Sequence, residues 1–583
     1  MKATSARSAT TDPATFWRRP LLWHDIALFS IMAVLAGCGL VYEYLLSHYA
    51  GRVLGAVETA IFAMIGIMIV AMGVGALAAR WIRCPFSGFA WLEVAIALLG
   101  SSAVLIVAAT ISFTNLLPQV IANVYGLPPD LVPQGGWISH VNALANISPY
   151  VIGFILGFLI GAEIPLIARV RESLYGEHLK HNTGAIYGMD YIGAGVGAAL
   201  WVLFMLAMDP FLAAVLVASF NVAAGLLFYF LYRQRIRFGK TLLASHGAVI
   251  LVIIMIGTYG ADWDATMEDM LYQDKVVYRM NTKYQHITIT ERIMDPAKPA
   301  VLTFYINGRT QFASNDERIY HSMLVYPAMA ASARHDNVLI IGGGDGLALR
   351  DVLRWNPKQV LLLDLDQQVV DFFSRPLERN GRVVNGALLA LNQHAFSDPR
   401  VETRFGDAYL SVDALLRNQR SFDTIIVDLP DPSHPDLNNL YSARFYAKLM
   451  HLLAGDGAIT IQSTSPYHAK NAFLSIGKTV KHAGYLHVEQ YHHNVPSFGE
   501  WGWTIAVKNG KPARQRLQEL SELPIDDGWT AQGVMLAAFE FGKHYFDDID
   551  QVEINRVGSN VLYRYHQNDW QKEQGIYQVP QRP

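Results

Sequence analysis

Acidic side chains follow several short apolar runs in the second half of this 583-residue sequence, in the pattern of a nucleotide-binding sheet. The run 338–341 leads directly into Gly342-Gly343-Gly344-Asp345-Gly346 and then into a helical stretch. Such a loop lets backbone N–H groups approach a nucleotide at a helix N-terminus. A second run ends at Asp364, 20 residues beyond Gly344, the offset at which an acid can accept both ribose hydroxyls. The pattern predicts a nucleotide site.

Two further runs end in acids. One ends in Gly406-Asp407-Ala408, and the other, 424–427, continues as Asp428-Leu429-Pro430-Asp431-Pro432. Open α/β sheets hold their ligands at the carboxyl ends of parallel strands. We therefore expect Asp428 and Asp431, three residues apart beside two prolines, to face one cleft, where acids suit a cationic substrate.

The elements that must position these acids form an α/β domain of Rossmann-like, methyltransferase type. A small antiparallel β domain is predicted to precede it, because runs of period two occur at 275–278, 286–290 and 301–306, with a turn at Asn307-Gly308. We predict a cytoplasmic segment at 1–25, a transmembrane domain at 26–260, the β domain at 261–330 and the catalytic domain at 331–583.

The first half predicts an all-α membrane bundle of about seven helices, since a crossing needs about 20 apolar residues. The apolar runs are Ile26 to Leu46, Val57 to Ala79, Ala90 to Thr110, Tyr150 to Ala168, Ala185 to Ala207, Phe211 to Leu231 and Leu243 to Tyr259. Basic residues before the first run and after the second, fourth and sixth place the N-terminus in the cytoplasm, and seven crossings then place the C-terminal domain on the far side.

Five acids lie within or at the ends of these runs, where ionisable groups are costly and often mark a polar pathway: Glu43, Glu58, Glu93, Glu163 and Asp190. A path for a cationic polyamine is one reading, and pairing inside the bundle or placement at an interface is the other. Gly193, Gly195 and Gly197 suggest close helix packing.

Composition narrows the classes of partner. A hydrophobic fraction of 52% against 16% charged residues favours a membrane protein, and a net charge of -3 without a basic block argues against nucleic acid. The two cysteines, Cys38 and Cys84, exclude a disulfide scaffold and a cysteine metal site. We expect no metal and no bound cofactor.

In its second half, over roughly 278–539, the sequence resembles the spermidine synthases, the polyamine aminopropyltransferases, in their membrane-bound bacterial branch. The resemblance rests on 284–287 (YQHI), 307–311 (NGRTQ), 316–321, the GGGDG loop, Asp364, Gly406-Asp407-Ala408 and the DxxDP motif at 428–432. It implies decarboxylated S-adenosylmethionine as donor co-substrate, a diamine such as putrescine as acceptor, and self-association. Donor contacts would come from Gln285, Gly342, Gly344, Asp345, Asp364, Asp407 and Ala408; acceptor contacts would come from Gln311, Tyr320, His321, Asp431 and Gln462.

The same resemblance assigns Asp428 as the base that deprotonates the amine, and Asp345 as the partner of the donor's ammonium. Asp345 would repel the carboxylate of ordinary S-adenosylmethionine. Two positions on the acceptor side depart from the family: Phe498 stands where a tyrosine is common, in a shortened 495–500 loop, and Thr464 stands where a glutamate is usual.

A methyltransferase-like enzyme and a non-catalytic polyamine transporter or sensor remain as alternatives. The expected location is the bacterial inner membrane, with the side of the catalytic domain and the acceptor amine left open.

Overall fold

The computed structural model describes residues 22–54, 57–125, 137–175, 182–206, 208–272, 274–379 and 381–573. Most of the predicted N-terminal segment, and Ala207 at the end of the fifth apolar run, lie outside these ranges. The chain divides into two compact units, Met1–Val276 and Val277–Pro583. Each unit is described by itself below.

The first unit is helical, and seven of its described helices are long and apolar enough to cross a membrane. They coincide with the seven predicted runs. The helices are α1 (Leu22–Leu54), α2 (Val57–Ala78), α3 (Pro85–Val124), α4 (Trp137–Gly161) continued by α5 (Glu163–Tyr175), α6 (Asn182–Leu200) continued by a π-helical turn (Trp201–Met205), α7 (Pro210–Tyr232) and α8 (Gly239–Asp269).

Two of the three predicted packing glycines lie where helices touch. A Cβ added at Gly193 would fall 2.0 Å from the carbonyl oxygen of Ala33, and one at Gly197 would fall 2.5 Å from that of Gly37. No side chain fits between α1 and α6 at these points, so the backbones approach directly. The prediction is wrong for Gly195, whose added Cβ would meet no atom within 4 Å.

The predicted boundary at residue 260 falls inside α8, which continues to Asp269 because helical hydrogen bonding does not stop where the apolar run stops. A four-stranded sheet in the order β1-β2-β3-β4 follows, in which β2 pairs with β3 and β3 with β4 antiparallel. Helix α9 (Glu317–Ala331), which the prediction assigned to the β domain, instead packs on the core of the larger sheet. The strands are β1 (Lys275–Asn281), β2 (His286–Arg292), β3 (Val301–Ile306) and β4 (Arg309–Ala313).

The larger sheet has seven strands in the order β12-β13-β11-β10-β5-β6-β9. The five strands from β11 to β9 are parallel to one another. Strand β13 runs antiparallel to both of its neighbours, β11 and β12. Its inner strands are apolar on both faces, as expected for a parallel sheet covered on both sides. Its strands are β5 (Asn337–Gly342), β6 (Gln359–Asp364), β9 (Val401–Phe405), β10 (Phe422–Asp428), β11 (Leu453–Gln462), β12 (His487–Val495) and β13 (Gly499–Val507); a hairpin of β7 (Glu378–Arg379) and β8 (Arg382–Val383) lies outside it.

Helices alternate with these strands and complete the layers. They are α10 (Leu347–Leu353), α11 (Gln367–Ser374), α12 (Gly386–Leu391), α13 (Ala408–Arg417), α14 (Ala443–Leu452), α15 (Lys470–His482), α16 (Ala513–Gln518), α17 (Gln532–Ala537) and α18 (Val561–Glu573).

Candidate active site

Strand register brings the predicted acids to one edge of the sheet. Asp428 is the partner of Gly342 across β10 and β5, and Asp364 is the partner of Phe405 across β6 and β9. Gln462 ends the neighbouring strand β11, whose Ile461 pairs with Val427. The site prediction thus falls where a parallel sheet holds its ligands.

The glycine loop needs its first glycine for contact with the next strand. Gly342 has φ +82°, and a Cβ there would lie 2.0 Å from the carbonyl oxygen of Asp428. The Gly343 N–H donates to that same oxygen at 3.2 Å. The loop and Asp428 are therefore held together through the backbone, and the carboxyl group is fixed beside the loop.

The Asp428 side chain is oriented by a tyrosine from α9. The Tyr320 hydroxyl, largely buried, donates to Asp428 Oδ1 at 2.8 Å. Burial raises the pKa of Asp428 above its ordinary value, while His321 and the Tyr320 hydrogen bond oppose the rise. Asp428 is thus a stronger base than an exposed aspartate, held in one orientation.

Three buried charged side chains, His321, Glu317 and Arg350, are linked at the N-terminal end of α9. His321 Nδ1 lies 2.9 Å from Glu317 Oε2, and Arg350 grips both Glu317 oxygens at 2.8 and 3.1 Å. Burial works against a charged His321, yet the Glu317 hydrogen bond and the charges of Asp345, Glu317 and Asp428 raise its pKa to about 9. His321 is therefore a cation at neutral pH and interacts electrostatically with Asp345 and Asp428. His321 was predicted to bind the acceptor; its Nδ1 contacts Glu317, and its role toward the acceptor stays a prediction.

Asp345 and Asp364, both predicted donor contacts, lie in the glycine loop and at the end of β6. Burial raises the pKa of each to about 6, with like charges contributing. A Cβ at Gly344 would lie 2.8 Å from Asp364 Oδ2, so the loop runs against this acid. Asp345 Oδ1 accepts from the Leu347 N–H at 2.9 Å, which caps the start of α10.

The other predicted donor residues occupy this edge in supporting positions. Gln285 donates its amide to Asp366 at 3.1 Å, two residues beyond Asp364. Asp407 is exposed and accepts from the Tyr409 N–H at 2.7 Å, so it caps α13, whose first residue is Ala408. Gln311, a predicted acceptor contact, lies in the irregular pairing of β3 with β4, and its amide donates to the carbonyl of Arg309 at 3.1 Å.

Asp431 and Gln462, both predicted acceptor contacts, are joined by a hydrogen bond. Gln462 donates to Asp431 Oδ1 at 2.6 Å, and the Tyr441 hydroxyl donates to Gln462 Oε1 at 2.9 Å. His566, from helix α18, places its Nε2 3.1 Å from Asp431 Oδ2. Tyr441 and His566 were not predicted, because neither belongs to a local motif and each meets its partner only in the folded chain.

Comparison with known proteins agrees with this geometry. Residues 317–518 match the model of the spermine/spermidine synthase domain. The polyamine aminopropyltransferase of Shewanella oneidensis is 55% identical over 95% of this chain and 96% of its own length. Those of Oceanobacillus iheyensis and Streptomyces coelicolor (polyamine aminopropyltransferase 1) are 30% and 35% identical over 91% and 81% of this chain, and over 93% and 82% of their own lengths.

The chain belongs to the polyamine aminopropyltransferases. An alignment over 95% of the chain includes both units, so the helical unit is shared with the Shewanella relative and is not peculiar to this sequence. The matched domain begins at Glu317, the residue that anchors His321 and Arg350, and includes Tyr320, Asp428 and Gln462. Gln285, Gln311 and His566 lie outside it.

One of the two departures of this aminopropyltransferase, Phe498, lies beside Tyr320. The ring of Phe498 packs 5.7 Å from that of Tyr320, so the aromatic wall is kept while its hydroxyl is lost. Thr464 is buried with φ +62°, a strained conformation for a β-branched residue, and its Oγ1 is among the described buried polar atoms without a hydrogen-bond partner. Thr464 stands two residues beyond Gln462, the last residue of β11. Within the described ranges, no cluster of three His, Cys, Asp or Glu side chains could hold a metal.

Proposed function

We propose that this aminopropyltransferase moves the aminopropyl group of decarboxylated S-adenosylmethionine to putrescine or a related diamine, giving spermidine or its analogue and methylthioadenosine. The observation that carries the proposal is the position of Asp428. It ends β10 beside the glycine loop, accepts from Tyr320, and stands one strand away from the Asp431–Gln462 pair. This position supports a role for Asp428 as the base that acts between the bound donor and the bound amine.

The donor would lie along the loop and the end of β6. Asp364 is at the position to accept from ribose hydroxyls, and Asp345 would meet the donor's terminal ammonium. Because ordinary S-adenosylmethionine carries a carboxylate at that end, Asp345 disfavours it by charge repulsion. Gln285 would act through Asp366 to hold this side of the cleft.

The reaction asks two tasks of the acceptor side. An alkylammonium with a pKa of about 10 has no free electron pair at neutral pH, so a carboxylate must take one proton before attack. Asp428 would accept that proton. The amine nitrogen then forms its bond to the methylene beside the sulfonium, the carbon–sulfur bond breaks, and sulfur keeps the electron pair as a neutral thioether. Asp431 and Gln462 would hold the distal ammonium, which leaves the near nitrogen in line.

The test is aminopropyl transfer by the purified full-length protein, with the decarboxylated donor and a panel of diamines. Asp428→Asn should lower kcat by at least a hundredfold, the usual contribution of a positioned base. The matched control is Asp423→Asn, at the opposite end of the same strand, where the carboxylate accepts only backbone and arginine donors. Methyl transfer from ordinary S-adenosylmethionine would replace the proposal with a methyltransferase; tight donor binding without any product would replace it with a sensor or transporter.

We further propose that the helical unit is embedded in the bacterial inner membrane. The support is seven helices with mean hydropathy between 1.4 and 2.5, and seven crossings put the two chain ends on opposite sides. Reporter fusions at each end test this, with the N-terminus expected in the cytoplasm. Equal signals from both ends would mean six crossings. The helix that does not cross would then be Asn182–Met205, the least apolar of the seven.

A further inference from the structure

Five helices of the first unit bring polar side chains to one buried place that the proposed reaction does not use. Each side chain has less than a tenth of its surface exposed. Each also carries one buried oxygen or nitrogen atom that, among the described residues, finds no hydrogen-bond partner. We call this set the buried acceptor cluster; it consists of Tyr42 (α1), Glu93 (α3), Glu163 (α5), Asn221 (α7) and His246 (α8).

The members are close to one another. The Asn221 amide donates to Glu93 Oε2 at 3.0 Å. A Cβ added at Gly225 would lie 2.8 Å from His246 Nε2 and 3.2 Å from Glu93 Cβ, so a glycine on α7 leaves room between these two side chains. Glu163 interacts electrostatically with Glu93, and Tyr42 interacts with both acids. Glu93 is therefore the common neighbour: it bonds to Asn221, lies across Gly225 from His246, and interacts electrostatically with Glu163 and Tyr42.

Nearly all of these lone atoms are acceptors. The carboxylate atoms are Glu93 Oε1 and Glu163 Oε2. Asn221 has used its amide as donor, so the unpartnered atom is its carbonyl Oδ1. His246 Nδ1 faces the carbonyl oxygen of Leu242 at 3.0 Å and must carry the proton, which leaves Nε2 as an acceptor in the neutral ring. Only the Tyr42 hydroxyl can donate.

Such an arrangement is costly without a ligand. A buried polar group without a partner loses about 1–3 kcal/mol, more when it is charged. Each proton added to a carboxyl group supplies one donor for one of these acceptors, whereas one primary ammonium supplies three donors. What the cluster lacks is a cation with several N–H donors. A primary ammonium offers three donors and one positive charge in a compact group.

We propose that the buried acceptor cluster binds the primary ammonium group of an aliphatic amine within the helical unit. This site is separate from the acceptor side of the catalytic unit, and the proposal holds whether or not the proposed reaction is correct. The amine can be the diamine substrate or the polyamine product, which present the same ammonium group. Of the five intramembrane acids, only Glu93 and Glu163 belong to the cluster; the side chain of Glu58 lies outside the described residues.

Equilibrium binding of radiolabelled 1,4-diaminobutane to the full-length protein in lipid nanodiscs, without donor, tests the proposal. The Glu93→Gln/Glu163→Gln variant should weaken one binding component at least tenfold, because charge-assisted hydrogen bonds are lost. Its aminopropyl transfer rate should stay within twofold of the wild type, which reports an intact catalytic unit. Glu43→Gln, also buried on α1, is the matched control and should bind as the wild type does.

Displacement of the Glu93-dependent component identifies the ligand. Unlabelled 1,4-diaminobutane and spermidine should both displace it. The amine that displaces it at the lower concentration is the ligand, either the diamine substrate or the polyamine product. Tetramethylammonium, a cation without N–H donors, and sodium should not displace it; displacement by either overturns the proposal, as does a variant curve that superimposes on the wild type. If the double variant does not fold, Asn221→Leu, which removes only neutral atoms, should weaken the same component at least fivefold.

Discussion

The Tyr320→Phe substitution tests the role of Asp428 most directly. It removes one hydroxyl, which donates to Asp428 Oδ1 at 2.8 Å, and leaves the ring against Phe498 and Trp503. The hydrogen bond favours the ionised carboxylate and lowers its pKa against the effect of burial. Hydrogen bonds to charged groups contribute about 1.5–3 kcal/mol, and one pKa unit corresponds to about 1.4 kcal/mol. We therefore expect the pKa of Asp428 to rise by about one to two units.

The measurement is kcat/KM for the diamine across pH. A base acts only when ionised, so activity falls as pH drops through its pKa, and in the variant this acid limb should move to higher pH by the same one to two units. The control is Tyr446→Phe, a fully buried tyrosine whose hydroxyl is among the described atoms without a partner; its limb should not move. An unmoved limb in Tyr320→Phe would refute Asp428 as the titrating base, even if kcat fell.

Three further outcomes are expected. His566→Ala should raise KM for the diamine several-fold and leave KM for the donor unchanged in steady-state kinetics; equal changes in both would contradict its place beside the distal ammonium. Glu317→Gln should lower the free energy of unfolding, measured with urea, by about 3–5 kcal/mol. The pKa of Glu317 is lowered to about 2 and that of His321 is raised to about 9. The loss of unfolding free energy in the variant should therefore be largest between about pH 4.3 and 6.5 and smaller at lower and higher pH. A loss that does not change with pH would contradict the pairing of Glu317 with His321. Gly342→Ala should abolish activity and lower Tm. The control is Gly381→Ala, because Gly381 has φ +73° but open space around it, so this variant should lose only about 1–3 kcal/mol of stability through backbone strain. Equal losses of stability in the two variants would mean that the contact at Gly342 is unimportant.

The site acids could be predicted from the sequence because their signal is local. An apolar run followed by glycines or an acid fixes both the strand and its carboxyl end, and parallel pairing then gathers Asp364 and Asp428 at one edge. The seven long apolar helices could be predicted for the same reason. What the sequence did not reveal depends on partners far along the chain: Glu317 with Arg350, and Asp431 with His566. No periodicity encodes such pairs.

The charge balance of the catalytic unit explains why its acids are held in this state. Burial and the charges of neighbouring acids raise the pKa of Asp345, Asp364 and Asp428 above the ordinary value. The cation His321 opposes this rise at Asp345 and Asp428. A cationic donor bound beside Asp345 would lower the pKa of the neighbouring acids by the same electrostatics. The donor would thereby favour the ionised form of Asp428, so the diamine should bind more tightly after the donor than before it. By linkage the diamine must then tighten the donor equally, and dissociation constants measured in both orders should give the same ratio.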